Sequence, residues 1–199
     1  MLLIMVIAFL ATRRVRLIPR GIQNLMEMLF EALLGLFESA MGPHQARKYF
    51  PLLATFFIFI IISNYSGLLP GAGVLTGFMP PTSNWSITAG LAIIVFFSVH
   101  YFGLREGGTA YLKHFIQPSP VLLPLNVLEE FVKPLSLSLR LFGNIFGEEL
   151  LLAVFLGMIP FLVPIPIMAL SLLFGFIQAF VFTLLAAIYI SSATEAGHH

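Results

Sequence analysis

Residues 133–149, KPLSLSLRLFGNIFGEE, concentrate charge inside an otherwise apolar stretch of chain. On a helix advancing 100° per residue, Ser136, Arg140 and Asn144 each fall within about 60° of Lys133. Glu130 and Glu148 flank that stripe, roughly 80° from Arg140, whereas Glu149 points to the opposite face. An arginine inside a membrane helix costs at least ~2.5–3.5 kcal/mol on insertion scales, so it should face protein or water, either in ion movement or as a structural cation satisfied by helix ends or a buried partner. Its guanidinium stays protonated under all ordinary conditions and is therefore a fixed cation, not a proton carrier. A fixed cation among side chains that relay protons suits the handling of a moving negative charge.

Composition sets the surroundings of this stretch. Of 199 residues, 59% are hydrophobic and only 10% charged, with a mean hydropathy of +0.99. Ordinary globular domains carry about 25% charged residues, so the chain reads as an all-α integral membrane protein. A net charge of +1 argues against nucleic acid as a partner. All nine acids are Glu, and there is no Cys, which excludes disulfides and thiolate metal sites. His44, His100 and His114 are dispersed without ligand spacing, and no Gly-rich phosphate loop is present. Neither a metal, a cofactor nor a directly bound nucleotide is expected.

The expected elements follow from apolar runs and their breakers. Met1 to Ala11 is apolar but shorter than the ~20 residues needed to cross the hydrocarbon core, so further chain is expected before Met1. Arg13, Arg14, Arg16 and Arg20 form a basic cluster. Ile22 to Met41 reads as an amphipathic helix with Glu27, Glu31 and Glu38 on one face, ended by Gly42-Pro43. Tyr49 to Tyr65 is a span, followed by the charge-free loop 67–84. Asn84 is placed to cap a helix from Trp85 to Leu104, and a polar connection carries Arg105, Glu106 and Lys113.

Pro118, Pro120 and Pro124 precede the charged helix, which the Asn126–Glu129 capping pattern starts near Val127. It runs to about Met158, interrupted by Pro134. Pro160, Pro164 and Pro166 turn the chain into a last helix, Ile167 to Ser192, on which Ser171, Gln178 and Tyr189 lie along one line. The whole is one membrane domain of five to six hydrophobic helices. Its parts are residues 1–66, the loop 67–84, residues 85–115, and a long helix hairpin over 120–195. Eight of the ten Lys and Arg residues lie in 13–48 and 105–113, and none in 67–84. Positive charge is retained inside, so the loop 67–84 and the amino terminus are expected outside and the carboxyl terminus inside.

From the residues alone, several readings stand. Glu129 serves as a helix cap or as a working carboxylate. Glu148 and Glu149 are not both caps, because the apolar run continues beyond them, so at least one lines an aqueous cavity. A buried Gln178 amide needs a partner, since leaving it unpaired costs a few kcal/mol. The polar stripe fits an ion path. It also fits a secondary transporter or channel with an intramembrane charged site, although no inverted repeat supports that alternative.

KPLSLSLRLFGN, then a glutamate, then IQAFVFTLLAAIYIS at residues 177–191, resembles subunit a of the F-type ATP synthases over roughly residues 120–195. The resemblance implies a non-catalytic stator that faces a ring of two-helix proteolipid subunits through two offset aqueous half-channels. It implies b-type peripheral-stalk subunits as further partners, within the lipid bilayer of a bacterial plasma membrane or an energy-coupling organelle such as the thylakoid. Arg140 matches the family's essential arginine. Asn144, Glu149 and Gln178 match positions of the outer half-channel. Ser136 and Tyr189 match positions toward the inner one, with Glu129 and Glu130 near its entry. Glu148 and Ser171 occupy the places where some members have a glycine and a histidine. That combination resembles the chloroplast and cyanobacterial pattern.

Overall fold

The computed structural model describes residues 22–67, 80–116, 123–158 and 164–195. Among them are five α-helices: α1 (Ile22–Met41), α2 (Pro43–Ser66), α3 (Trp85–Ile116), α4 (Leu123–Met158) and α5 (Pro164–Glu195). One 3-10 turn, Pro81–Ser83, precedes α3. Three helical stretches, Pro43–Ser66, Trp85–Gly108 and Ile165–Glu195, are long and apolar enough to cross a membrane. With no strand among the described residues, the chain is an all-α integral membrane protein, as composition implies. The apolar segment 1–11, the basic cluster at 13–20, most of the charge-free loop and Pro118, Pro120 and Pro160 lie outside the described residues.

The chain divides at Phe50/Pro51 into two units. In the first, Leu33, Phe37 and Met41 recur every four residues on α1 and are buried. The Phe50 ring meets Phe30 edge-on at 5.9 Å and Phe37 at 6.1 Å. Gly42 makes the turn because its φ of +80° disfavours any side chain, and its N–H donates to the Glu38 carbonyl at 3.0 Å. Pro43 opens α2, where its missing N–H is not needed. Arg47 pairs with Glu38 across this turn at 3.3 Å.

The second unit holds the rest of α2 with α3, α4 and α5. Small side chains of α5 (Ala179, Thr183, Ala186, Ala187) are fully buried. In lipid, helices associate through close packing rather than water exclusion, and small residues let backbones approach. Aromatic pairs join α2 to α5, Phe56 to Phe182 at 6.1 Å and Phe57 to Phe176 at 5.9 Å. Phe96 of α3 stacks on Phe131 of α4 at 5.5 Å. Contacts between α4 and α5 run in opposite order along the two helices: Lys133 with Tyr189, Asn144 with Gln178. The last two helices therefore form the expected antiparallel hairpin.

Four helices differ in their bounds from the sequence expectation, the first being α2, which begins at Pro43 rather than Tyr49. α4 begins at Leu123, so Asn126 and Glu129 lie inside it rather than at its start; Pro124 is tolerated because it falls in the first turn. α5 begins at Pro164 for the same reason. α3 does not stop at Leu104. It continues to Gly108, where φ 51° and ψ −129° break the helix, and a short return reaches Ile116. That return lays the Tyr111 ring on Gly103, where a Cβ would sit 2.8 Å from Tyr111 Cε2. The cap on α3 is as expected, with the Ser86 N–H donating to Asn84 Oδ1 at 3.0 Å.

Candidate functional site

Leu137, Leu141 and Ile145 are buried at intervals of four and set the rotation of α4. Glu130 and Glu148 share their side of the helix, about 20° from Leu141, whereas Arg140 is turned about 100° away. Arg140 is accordingly exposed, in an open groove with Val132, Leu135, Ser136 and Leu139. Among the described residues no carboxylate lies within ion-pairing distance of it. An arginine bare to hydrocarbon costs several kcal/mol, so this face calls for protein or water. Gly143 and Gly147, on the same outward side, have nothing within 4 Å of where a Cβ would stand, which leaves room for a close neighbour.

Four residues beyond Arg140, the Asn144 amide donates to Gln178 Oε1 at 2.7 Å, joining α4 to α5. Gln178 is 3% exposed, and its Nε2 has no hydrogen-bond partner among the described residues. A buried donor left so costs ~1–3 kcal/mol, which favours an acceptor or a water beside it.

One turn further, both Glu148 and Glu149 border one cavity of about 40 Å³, together with Ser171, Asn64 and Pro80. As adjacent residues, these glutamates leave the helix about 100° apart. The structure brings both to the same space because Glu148 approaches it from the α5 side, near Ser171, and Glu149 from the side of the 3-10 turn, near Ser83. The volume exceeds the ~10–15 Å³ that one water requires. Gln178 does not border it.

The wall of this cavity is a polar clamp that sequence reasoning missed. Asn64 donates to the Gly175 carbonyl at 3.0 Å and accepts from the Thr82 hydroxyl at 2.9 Å, while Tyr65 donates to the Leu172 carbonyl at 3.1 Å. Gly175 permits the approach, since a Cβ there would stand 3.3 Å from that of Asn64. The signal in the sequence is slight: one amide closing an apolar span, and hydroxyls just before the Asn84 cap.

At the other end of α4, Lys133 Nζ lies 2.6 Å from Glu130 and 4.0 Å from Glu129. It also lies over the Tyr189 ring, 5.8 Å from the centroid. Glu130, Lys133, Pro134, Phe96 and Tyr189 border a second, smaller cavity of about 10 Å³. Glu129 is not on it and is largely exposed. Ser136 belongs to the groove of Arg140 rather than to this cavity. Burial and the Glu130 carboxylate push the Tyr111 phenol up to about 12, so Tyr111 stays an uncharged hydroxyl beside Glu130. At 1.5 Å per residue, Glu130 and Glu148 stand about 27 Å apart along α4, with Arg140 between them.

Residues 1–191 match the family described as ATP synthase A chain. ATP synthase subunit a of Moorella thermoacetica is 50% identical over 199 residues, covering 100% of this chain and 88% of the relative. ATP synthase subunit a 1 of Pelobacter propionicus is 46% identical over 202 residues, covering 100% and 85%. ATP synthase subunit a 1 of Syntrophotalea carbinolica is likewise 46% identical, covering 100% and 83%. With its charged helix hairpin and a match over nearly all its length, this chain belongs to the ATP synthase A chain family.

Proposed function

We propose that this chain is the proton-conducting stator subunit of a rotary ATP synthase, passing protons to and from carboxylates on a ring of small two-helix subunits. The observation that carries this reading is an outward-facing arginine without a carboxylate partner among the described residues, lying between two separate acidic cavities on one helix. Glu148, Glu149, Asn144 and Gln178 belong to the outer half-channel; Ser136, Tyr189 and Glu130 belong to the inner one, with Glu129 beside its entry. The chain makes and breaks no covalent bonds in substrates. Further contacts go to b-type stalk subunits. The membrane is a bacterial plasma membrane, with the amino terminus outside and the carboxyl terminus inside.

The physical logic is a sorting of charge. A ring carboxylate enters lipid only when neutral, because burying its anion there is prohibitive. A proton from the outer cavity neutralises it, and the ring then carries it through lipid to the inner cavity, where it ionises. Arg140 attracts the anion but repels protons, so the two cavities are not short-circuited. Each charge that crosses gains about 2.3 kcal/mol per 100 mV.

The test is Arg140→Ala in the assembled complex, with ATP-driven proton pumping measured in inverted vesicles. Pumping is abolished while the subunit still co-purifies with its ring, since a charge is lost but no buried packing. Arg140→Lys restores little, because an ammonium lacks the planar fork and can lose its proton when desolvated. Normal pumping in either variant refutes the assignment.

A further inference from the structure

Two glutamates stand at the inner end of α4, and Lys133 does not treat them alike. On a helix surface a Glu four residues before a Lys is the favoured ion-pair spacing, which is Glu129 with Lys133. The ammonium is instead 2.6 Å from Glu130 and 4.0 Å from Glu129. Two neighbours explain the choice. The Tyr189 ring of α5 lies 5.8 Å beneath the ammonium, within the range at which an aromatic face attracts a cation. Pro134, next in the chain, has no N–H to give to the Glu130 carbonyl four residues earlier, and its ring borders the same cavity.

Exposure separates the pairs in the same way. The side chains of Glu130 and Lys133 are 19% and 30% exposed, against 65% for Glu129. A partly buried pair is screened less by salt than one in solvent. Glu130 borders the cavity under Tyr189 and Glu129 does not. Among the described residues, Tyr111, brought back from α3 by the turn at Gly108, and Tyr189 on the same cavity are further titratable groups beside Glu130.

We propose that Lys133 is a positioning residue of the inner proton path, acting through Glu130: its ammonium holds the Glu130 carboxylate at the cavity beneath Tyr189, so that Glu130 rather than Glu129 stands in the path. This rests on the stator reading above. The ammonium carries no proton across; it fixes where the carboxylate that does so is found. Without it, the Glu130 side chain loses its partner within the helix and is free to leave the cavity.

The experiment is a double-mutant cycle on passive proton flux. Vesicles carrying the complex, stripped of its catalytic head, are driven by a potassium diffusion potential, and flux is normalised to the assembled subunit. Lys133→Met and Glu130→Gln each slow the flux about tenfold, equivalent to ~1.4 kcal/mol. The double variant is no slower than Glu130→Gln alone, because residues acting through one another are not additive. Lys133→Arg retains most of the flux, since guanidinium keeps the charge and donates to the same carboxylate.

If Lys133→Met slows flux by the same factor with and without Glu130, its stem acts by packing, and the positioning role is overturned while the inner path stands. If Glu130→Gln conducts at the parental rate, the inner path does not run here and the positioning role falls with it. Should Lys133→Met not assemble, Lys133→Gln takes its place in the cycle with the same two outcomes.

Discussion

Replacing Asn64 with leucine probes the clamp behind the two-glutamate cavity. The substitution keeps the number and branching of side-chain heavy atoms but removes the donor to Gly175 and the acceptor for Thr82. Gly175 lies within α5, so its carbonyl still has a helical N–H partner. Thr82 is worse placed: it is 0% exposed, and its hydroxyl is left with no acceptor. A buried hydroxyl so orphaned costs ~1–3 kcal/mol, and the lost bond to Gly175 adds ~1 kcal/mol. Asn64→Leu should therefore destabilise the subunit by about 2–4 kcal/mol. Thr82→Val leaves the Asn64 oxygen unpaired and costs ~1–3 kcal/mol.

The double variant should cost clearly less than the sum, because no orphaned group remains between the two, with a coupling of about 0.5–3 kcal/mol. The assay is heat treatment of the detergent-solubilised complex, followed by reconstitution and measurement of retained proton flux for all four members of the cycle. Before heating, flux in Asn64→Leu should already be reduced, since Asn64 borders the cavity with Glu148 and Glu149. Strictly additive losses of heat resistance would refute the clamp. Undiminished flux in every member would separate the cavity wall from conduction.

Glu148→Gln and Glu149→Gln each keep shape and hydrogen bonding while removing the titratable carboxyl. Each should slow proton flux moderately and the double variant far more, because both border the same cavity; parental flux in the double variant would move the outer path elsewhere. Gly103→Ala places a Cβ 2.8 Å from Tyr111 Cε2, so the return after Gly108 must shift, at ~1–3 kcal/mol of overpacking. Lower heat resistance should follow, relieved by Tyr111→Leu in the same chain; an unchanged Gly103→Ala subunit would contradict that packing.

Features governed by local backbone chemistry were legible before any tertiary contact was known. The bounds of α1, the turn at Gly42 and the cap at Asn84 follow from apolar period, a glycine's freedom and an amide's reach to a nearby N–H. The membrane class followed from composition, and the family from the motif around Arg140. The Asn126–Glu129 pattern misled because proline is tolerated in a first turn, so the helix could start earlier, at Leu123.

What the sequence could not carry was the choice among equivalent local partners. Lys133 has a glutamate three residues before it and another four before it. Only the Tyr189 ring, brought from α5, and the cavity beside Pro134 favour Glu130. Glu148 and Glu149 diverge by about 100° on their own helix. They meet one cavity because α5 supplies Ser171 on one side and the 3-10 turn supplies Ser83 on the other. Asn64 and Thr82 are 18 residues apart and gain meaning only when the chain between them returns. Helical periodicity fixes the angle at which a side chain leaves its own axis, but the rotation of that helix against its neighbours is set by packing. For α4 it is Leu137, Leu141 and Ile145, locked inward, that leave Arg140 on the open face.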